Sequence, residues 1–369
     1  LTRIEEEISS RMYAVIMAGG KGTRFWPRSR ENMPKHLLDI VCERTIIQET
    51  IDRITPLVPA EKILIVTGAS HADELMKQVP QIPERNIIIE PVGRNTAPCI
   101  GLAALYIKRK SPDDIMAVLP ADHLITDAQR FLHVLSAAAE MARRGDYLLT
   151  VGITPTCPET GYGYLEEGPR KATVRGKDFY AVKSIREKPA LPQAKAFLER
   201  GGFYWNSGMF IWRVDAIVGA LEKWLPDLHR GLSEIEPALG SDQEKSVIEH
   251  VYNKIHSISI DYGVMEKAEN VLLVKGDFGW YDMGSWDALW EVLEKDEDGN
   301  AAHVHGRFVS VDSRNSLIHS PRKLVALVGV EDLIVVETED SLLVCKRGCS
   351  QDVKKVVETL DAKKMKDYL

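Results

Sequence analysis

The first half of the chain alternates short apolar runs with stretches whose apolar residues recur at helical spacing. Apolar runs at 13–18, 63–67, 87–90 and 115–119 predict strands, and amphipathic patterns at 45–54, 69–78 and 96–110 predict helices between them. Short strands separated by helices build βαβ units, hence a mainly parallel sheet with right-handed crossovers. From residue 147 the pattern is mixed: strands are predicted at 147–153, 181–187 and 203–212, helices at 193–200, 214–224 and 243–252. Residues 286–294 read as a closing helix, and the acidic run Glu294-Lys295-Asp296-Glu297-Asp298-Gly299-Asn300 as a linker. Beyond it, strands are predicted at 308–311, 316–319, 324–329, 333–337 and 341–346, then a helix from Asp352. The expected organisation is a leading segment 1–11 outside the fold, an α/β domain over 12–293 and a small β-rich unit over 301–369, ending in a helix.

Ligands of such sheets gather at the carboxyl ends of the strands. That rule brings the loop after the first strand, residues 90–95 and Pro120-Ala121-Asp122-His123 to one edge. The loop is the most informative: Ala18-Gly19-Gly20-Lys21-Gly22-Thr23-Arg24-Phe25-Trp26-Pro27. Its glycines let backbone N–H groups approach a phosphate, while Lys21, Arg24 and the later Lys35 add positive charge. It is neither a Walker loop, which needs Gly-Lys-Ser/Thr, nor the dinucleotide fingerprint, which runs from its third glycine into a helix.

Asp122 follows a strand and a proline, and Asp282 lies in Gly279-Trp280-Tyr281-Asp282-Met283-Gly284-Ser285-Trp286. Both are hard oxygen ligands suited to Mg2+, or else helix caps. Glu187-Lys188-Pro189 ends a strand, where a carboxylate can accept from sugar hydroxyls and a lysine can hold a phosphate. Gly161-Tyr162-Gly163-Tyr164 offers a flexible turn with exposed backbone donors, or a hairpin. Asn206 interrupts the apolar run from Phe203 to Trp212 and must find a partner or a ligand.

Composition narrows the class. A chain of 369 residues can bury a substantial core, and its net charge of -7 without a basic stripe argues against non-specific nucleic-acid binding. No apolar run approaches the roughly 18 residues of a membrane span. Cys42, Cys99, Cys157, Cys345 and Cys349 are scattered and lack zinc-site spacing, which reads as reduced thiols in a cytoplasmic protein.

In combination the motifs resemble the sugar-1-phosphate nucleotidyltransferases, in particular the bacterial mannose-1-phosphate guanylyltransferase branch. Gly19 to Arg24 with Pro34-Lys35 looks like the family's signature loop. Glu90-Pro91-Val92-Gly93-Arg94-Asn95-Thr96-Ala97-Pro98 is similar to a stretch typical of the mannose-specific branch. Pro120 to His123, Gly161 to Tyr164, Glu187 to Pro189, Trp205-Asn206-Ser207-Gly208-Met209, Ser259 to Glu266 and Gly279 to Trp286 follow in the family's order, over roughly residues 12–293.

The resemblance implies a Rossmann-like (GT-A-like) catalytic domain and a left-handed β-helix-like C-terminal segment. It also implies GTP and mannose 1-phosphate as substrates, and Mg2+ as cofactor. Arg24, Lys35 and Lys21 would be catalytic, and Asp122 and Asp282 would hold the metal. The nucleotide would lie against Ala18, Gly19, Gly20, Gly22, Thr23, Glu90, Asn95, Thr96, Pro120 and Asp122. Glu90, Asn95 and Thr96 would sit near the guanine. Gly163, Glu187, Lys188 and Asn206 would bind the sugar phosphate. The additional cupin domain of many relatives finds no room in this length, so no isomerase activity is expected. Another sugar or base, or a catalytically silent binding subunit, are the alternatives. Neither nucleic acid nor membrane is expected as a partner, and the oligomeric state is left open, a homodimer being one option.

Overall fold

The computed structural model describes residues 8–20, 22–303 and 308–369. Strands β1 (Met12–Ala18), β2 (Ile63–Gly68), β3 (Ile87–Glu90) and β4 (Ile115–Pro120) pair in parallel in the order β3-β2-β1-β4. Helices α1 (Ile46–Ile54), α2 (Ala72–Gln78) and α3 (Thr96–Lys108) connect them, as the periodicity predicts. Strands β1, β2 and β4 read as continuous apolar runs because both faces are covered, whereas the edge strand β3 leaves Ile89 exposed. Ala14 and Ile16 enter one core cluster while Tyr13 and Val15 enter the other, so alternate residues serve opposite faces.

The sheet continues through β9 (Phe203–Arg213), β6 (Leu148–Ile153), β10 (Val271–Gly276), β8 (Lys177–Arg186) and β7 (Tyr164–Val174). Strand β9 runs antiparallel to β4, pairing Phe210 with Val118. The residues before Phe210 therefore reach past the carboxyl end of β4, which carries Asn206 to the functional edge. Strand β7 pairs Tyr164 with both Arg186 and Trp205, bringing the 161–163 turn beside the end of β8.

The sequence pattern misses several elements. Strand β7 is half-exposed and charged, so it lacks an apolar run. Helices α4 (Ala128–Ala142) and α7 (Pro226–Ile235), and strand β10, are likewise additions to the expected set. The remaining elements match the expectation within a few residues: α5 (Leu191–Arg200), α6 (Val214–Trp224), α8 (Glu244–Tyr252) and α9 (Trp286–Val292). One expectation is corrected. Segment 1–11 is not wholly outside the fold, because Ile8 is buried in the core and Arg11 pairs with Asp114 at 3.2 Å.

In the C-terminal region β12 (Ala301–His303), β14 (Leu317–His319) and β16 (Leu333–Glu337) stack in parallel, closed by antiparallel β17 (Leu342–Lys346). Strands β13 (Phe308–Val311) and β15 (Val325–Val328) form a second parallel pair, giving a β-helix-like coil followed by α10 (Val353–Ala362). One core cluster joins this coil to the glycine-rich loop: Phe25, Trp26, Met283, Trp286, Leu317, Ile334 and Val353 pack together. No described helix is long and apolar enough to cross a membrane.

Candidate active site

The loop after β1 turns at Gly22, whose φ of 62° lies in the left-handed region. A Cβ there would overlap the Lys35 side chain and stand 2.9 Å from the Lys35 backbone nitrogen, so glycine lets the two segments touch. The turn Thr23–Phe25 is pinned by Phe25, fully buried against Trp286 at 5.0 Å between ring centroids. Arg24 is thereby held at the opening, its Nη1 donating to the Gly284 carbonyl at 3.3 Å. Lys21 lies outside the described residues.

Lys35 is buried, and its ammonium donates to Asp122 Oδ2 at 2.8 Å and to the Asp282 carbonyl at 2.7 Å. Asp122 follows β4; Asp282 follows β11 (Trp280–Tyr281), which pairs with β5 (Leu124–Ile125) just beyond Asp122. That small ladder brings the distant carboxylates together. Neither caps a helix: Ser285, not Asp282, accepts from the first turn of α9. His123 Nδ1 accepts from Trp280 Nε1 at 3.1 Å, which leaves the proton on Nε2, 3.4 Å from Asp282 Oδ1. Burial pushes the Asp122 carboxyl up, but Lys35 and His123 outweigh it and hold it below the usual range, against repulsion from Asp282. Asp282 is held well down in the same way, its burial overcome by His123 and Lys35. Two ionised carboxylates thus converge beside the Lys35 ammonium and the Arg24 guanidinium.

On one side lies a cleft of about 470 Å3 lined by Gly19, Gly20, Glu90, Asn95, Thr96, Pro120, Gly163, Glu187, Lys188 and Asn206, together with both aspartates. Twelve of the residues singled out from the sequence therefore line one cavity. Arg24, Lys35, Thr23 and Gly22 line an adjoining pocket of about 270 Å3 that also contains Asp122 and Asp282. Ala18 is fully buried beneath the loop, with its carbonyl taken by Thr67 Oγ1 at 3.1 Å. A broader groove of about 750 Å3 beneath the C-terminal strands includes Arg30 and Asp340, which pair at 2.7 Å, and none of these candidates.

Within the cleft, Gly163 permits a close approach: a Cβ would overlap the Glu187 carboxylate and stand 3.3 Å from Asn206 Cβ. Asn206 Oδ1 accepts from Thr150 Oγ1 at 3.0 Å and its Nδ2 donates to Asp261 Oδ1 at 2.7 Å. Its side chain is thus held by structural bonds while facing the cavity. Burial, then repulsion from Asp261 and Glu266, raises the Glu187 carboxyl to about 7 despite Lys188. Asp261 is raised as well, by burial, with the Asn206 bond opposing.

Glu90 ends β3 almost fully buried; its Oε1 accepts from Tyr252 OH at 3.0 Å. Burial raises its carboxyl to about 7 against that bond. Asn95 caps α3 through Oδ1, accepting from Thr96 N at 2.8 Å, and Thr96 Oγ1 accepts from Ile260 N at 2.8 Å. Capping and cleft lining therefore coincide at Asn95, while Thr96 lines the cleft and ties α3 to the Ile260 backbone.

Sequence reasoning assigns no role to Asp261, Tyr252, His123 or Trp280. His123 and Trp280 lie within quoted motifs, whereas Tyr252 gives no signal because it reaches Glu90 from a helix 162 positions along the chain. The paired carboxylates fit Mg2+, which is held by one or two carboxylates completed by substrate phosphates rather than by an all-protein cage. No group of three or more candidate ligand side chains occurs among the described residues.

A phosphate-approaching loop, paired carboxylates and a polar cleft at the strand ends define a nucleotidyltransferase, and the nucleotidyl transferase family matches residues 13–299. The MannoseP isomerase/GMP-like beta-helix domain family matches residues 306–360. The chain belongs to the mannose-1-phosphate guanylyltransferase family. It is 41% identical to the mannose-1-phosphate guanylyltransferase of Klebsiella pneumoniae over 96% of its own length and 75% of that protein. It is 40% identical to that of Escherichia coli K12, over 96% of this chain and 74% of that one. A crystal structure from Thermus thermophilus, named mannose-1-phosphate geranyltransferase, superposes with a TM-score of 0.86 at 34% identity, covering 95% of this chain and 99% of the other.

Proposed function

We propose that the enzyme converts GTP and α-D-mannose 1-phosphate to GDP-mannose and pyrophosphate. A phosphate oxygen of the sugar phosphate forms a bond to the α-phosphorus of GTP as the bond to the β-phosphate oxygen breaks in line, and pyrophosphate leaves with that electron pair. The nucleophile is already an anion, so alignment and charge neutralisation are what the protein must supply. The observation that carries this reading is the convergence of ionised Asp122 and Asp282 with Lys35 and Arg24 beside the glycine-rich loop.

Asp122 and Asp282 would hold Mg2+, which supplies charge neutralisation on the phosphates when bound. Lys35 reaches the α-phosphate region from between the two segments, and Arg24 and Lys21 draw on the triphosphate. Lys188 holds the sugar phosphate as a point charge. Glu187, Asn206 and the Gly163 backbone grip mannose hydroxyls, with Asp261 beside them. Glu90 accepts from the guanine ring N–H and amino group, and Asn95 and Thr96 flank the base. The free thiols of Cys42, Cys99, Cys157, Cys345 and Cys349 support a reducing, cytoplasmic setting. Pyrophosphate release measured across pairs of nucleotides and sugar 1-phosphates tests the assignment. GTP with mannose 1-phosphate should give the highest kcat/KM; a higher value for another pair overturns it.

A further inference from the structure

The pocket beside the two carboxylates has a wall from the far end of the chain. Lys354, in the first turn of α10, lines it together with Arg24, Lys35, Asp122, Asp282 and Gly284. The helix is clamped to the segments that supply those residues. Asp287, five positions after Asp282, accepts from Gly348 N at 2.8 Å and Ser350 N at 3.2 Å. Trp26, two positions after Arg24, donates its indole N–H to the Tyr368 carbonyl at 2.8 Å. Val353, next to Lys354, is buried among Phe25, Trp26, Met283 and Trp286. The backbone of Lys354 is therefore fixed relative to the loop and to Asp282.

The cations of this pocket are not equally engaged. The Lys35 ammonium is committed to Asp122 and the Asp282 carbonyl, and Arg24 leans on the Gly284 carbonyl. Among the described residues Lys354 has no ion-pair or hydrogen-bond partner. A cation in the first turn also works against the helix dipole. The neighbouring Lys355 relieves this by pairing with Asp352 at 2.8 Å, whereas Lys354 projects into the pocket. This pocket and the larger cleft share only Asp122 and Asp282 among their lining residues. In-line displacement needs the nucleophile and the leaving group on opposite sides of the α-phosphorus. With the sugar phosphate in the larger cleft, the smaller pocket is left for the β- and γ-phosphates.

We propose that Lys354 binds the pyrophosphate portion of GTP and the pyrophosphate product, making the C-terminal helix part of the substrate site. The inference rests on the reaction assigned above. Its test uses the full chain with Lys354→Ala, Lys354→Arg and, as a control on the same turn, Lys355→Ala. Lys354→Ala should raise KM for GTP, and for pyrophosphate in the reverse direction, by about fivefold to tenfold. KM for mannose 1-phosphate and GDP-mannose should stay put, Lys354→Arg should recover most of the loss, and Lys355→Ala should match the parent. Equal changes for all four substrates, or none for pyrophosphate, overturn the proposal. Direct titration of Mg2+-pyrophosphate separates it from the reaction assignment. Weaker binding by Lys354→Ala than by the parent supports it and equal binding refutes it, whichever nucleotide the enzyme turns over.

Discussion

At Glu90 the demands of folding and of recognition conflict. A carboxylate raised to about 7 by burial is held largely uncharged in the free protein at mildly acidic pH, although guanine recognition wants it as an acceptor. Because the folded value lies above the unfolded one, Glu90 leaves stability intact below about pH 4.5 and weakens it as pH rises toward 7. Glu90→Gln keeps an acceptor for Tyr252 and removes that penalty. It should gain roughly 2–3 kcal/mol over the parent at pH 8.5, shrinking toward zero near pH 4.5, in ligand-free denaturant titrations. The same variant should lose preference for GTP over ATP, since a matched acceptor on the base edge is gone. An unchanged preference in parallel kinetics removes Glu90 from the base site. For the carboxylate pair, Asp122→Asn or Asp282→Asn preserves size while deleting charge. Each should lower kcat by about two orders of magnitude or more at saturating Mg2+ in a protein that still folds, Asp122→Asn with a lowered thermal midpoint because the buried Lys35 loses its charged partner. Near-normal turnover in both would return these residues to a structural role.

The elements matter here for what they force their ends to do. Strand β8 ends at Arg186, and Lys188 then takes a φ of 48° with its N–H donating to the Tyr162 carbonyl at 3.2 Å. That bend aims a lysine into the cleft at a backbone angle a side chain rarely adopts, a strain typical of functional positions. Lys188→Ala should therefore raise KM for mannose 1-phosphate far more than KM for GTP; equal effects would assign Lys188 to the triphosphate or to the fold. The turn after β1 depends in the same way on Gly22. Gly22→Ala adds a Cβ in the left-handed region against Lys35. It should cost about 1–3 kcal/mol in unfolding free energy and also depress kcat, because Lys35 is pushed off Asp122. A stable Gly22→Ala enzyme with full turnover would contradict this packing.

On the scale of the whole molecule, the catalytic loop and the C-terminal coil share one core. Trp286 is fully buried against Phe25, and its indole N–H donates to the Trp26 carbonyl at 3.1 Å. Trp286→Ala empties the centre of that cluster and should destabilise the protein by about 3–5 kcal/mol. It should also raise KM for GTP, since Arg24 sits on the turn that Phe25 anchors. Unfolding monitored by tryptophan fluorescence, with parallel kinetics, reads both effects, and a loss of stability with unaltered KM would uncouple the core from the loop.

Much of this is written locally. The apolar runs of β1 to β4, the glycine-rich loop and the positions of Asp122, Glu187 and Asn206 are short-range patterns. Periodicity and turn chemistry depend on neighbours only, so they survive in a single sequence. Strand β7 is hidden because an exposed, charged hairpin carries little apolar signal, and β9 looks like any apolar strand although its antiparallel direction is what carries Asn206 to the functional edge. The pairing of Asp122 with Asp282 through Lys35, the grip of Tyr252 on Glu90 and the arrival of Lys354 at the pocket are decided only by tertiary structure. Each joins residues far apart in the chain, and what makes them act together is burial and electrostatic proximity, which exist only once the chain has closed on itself.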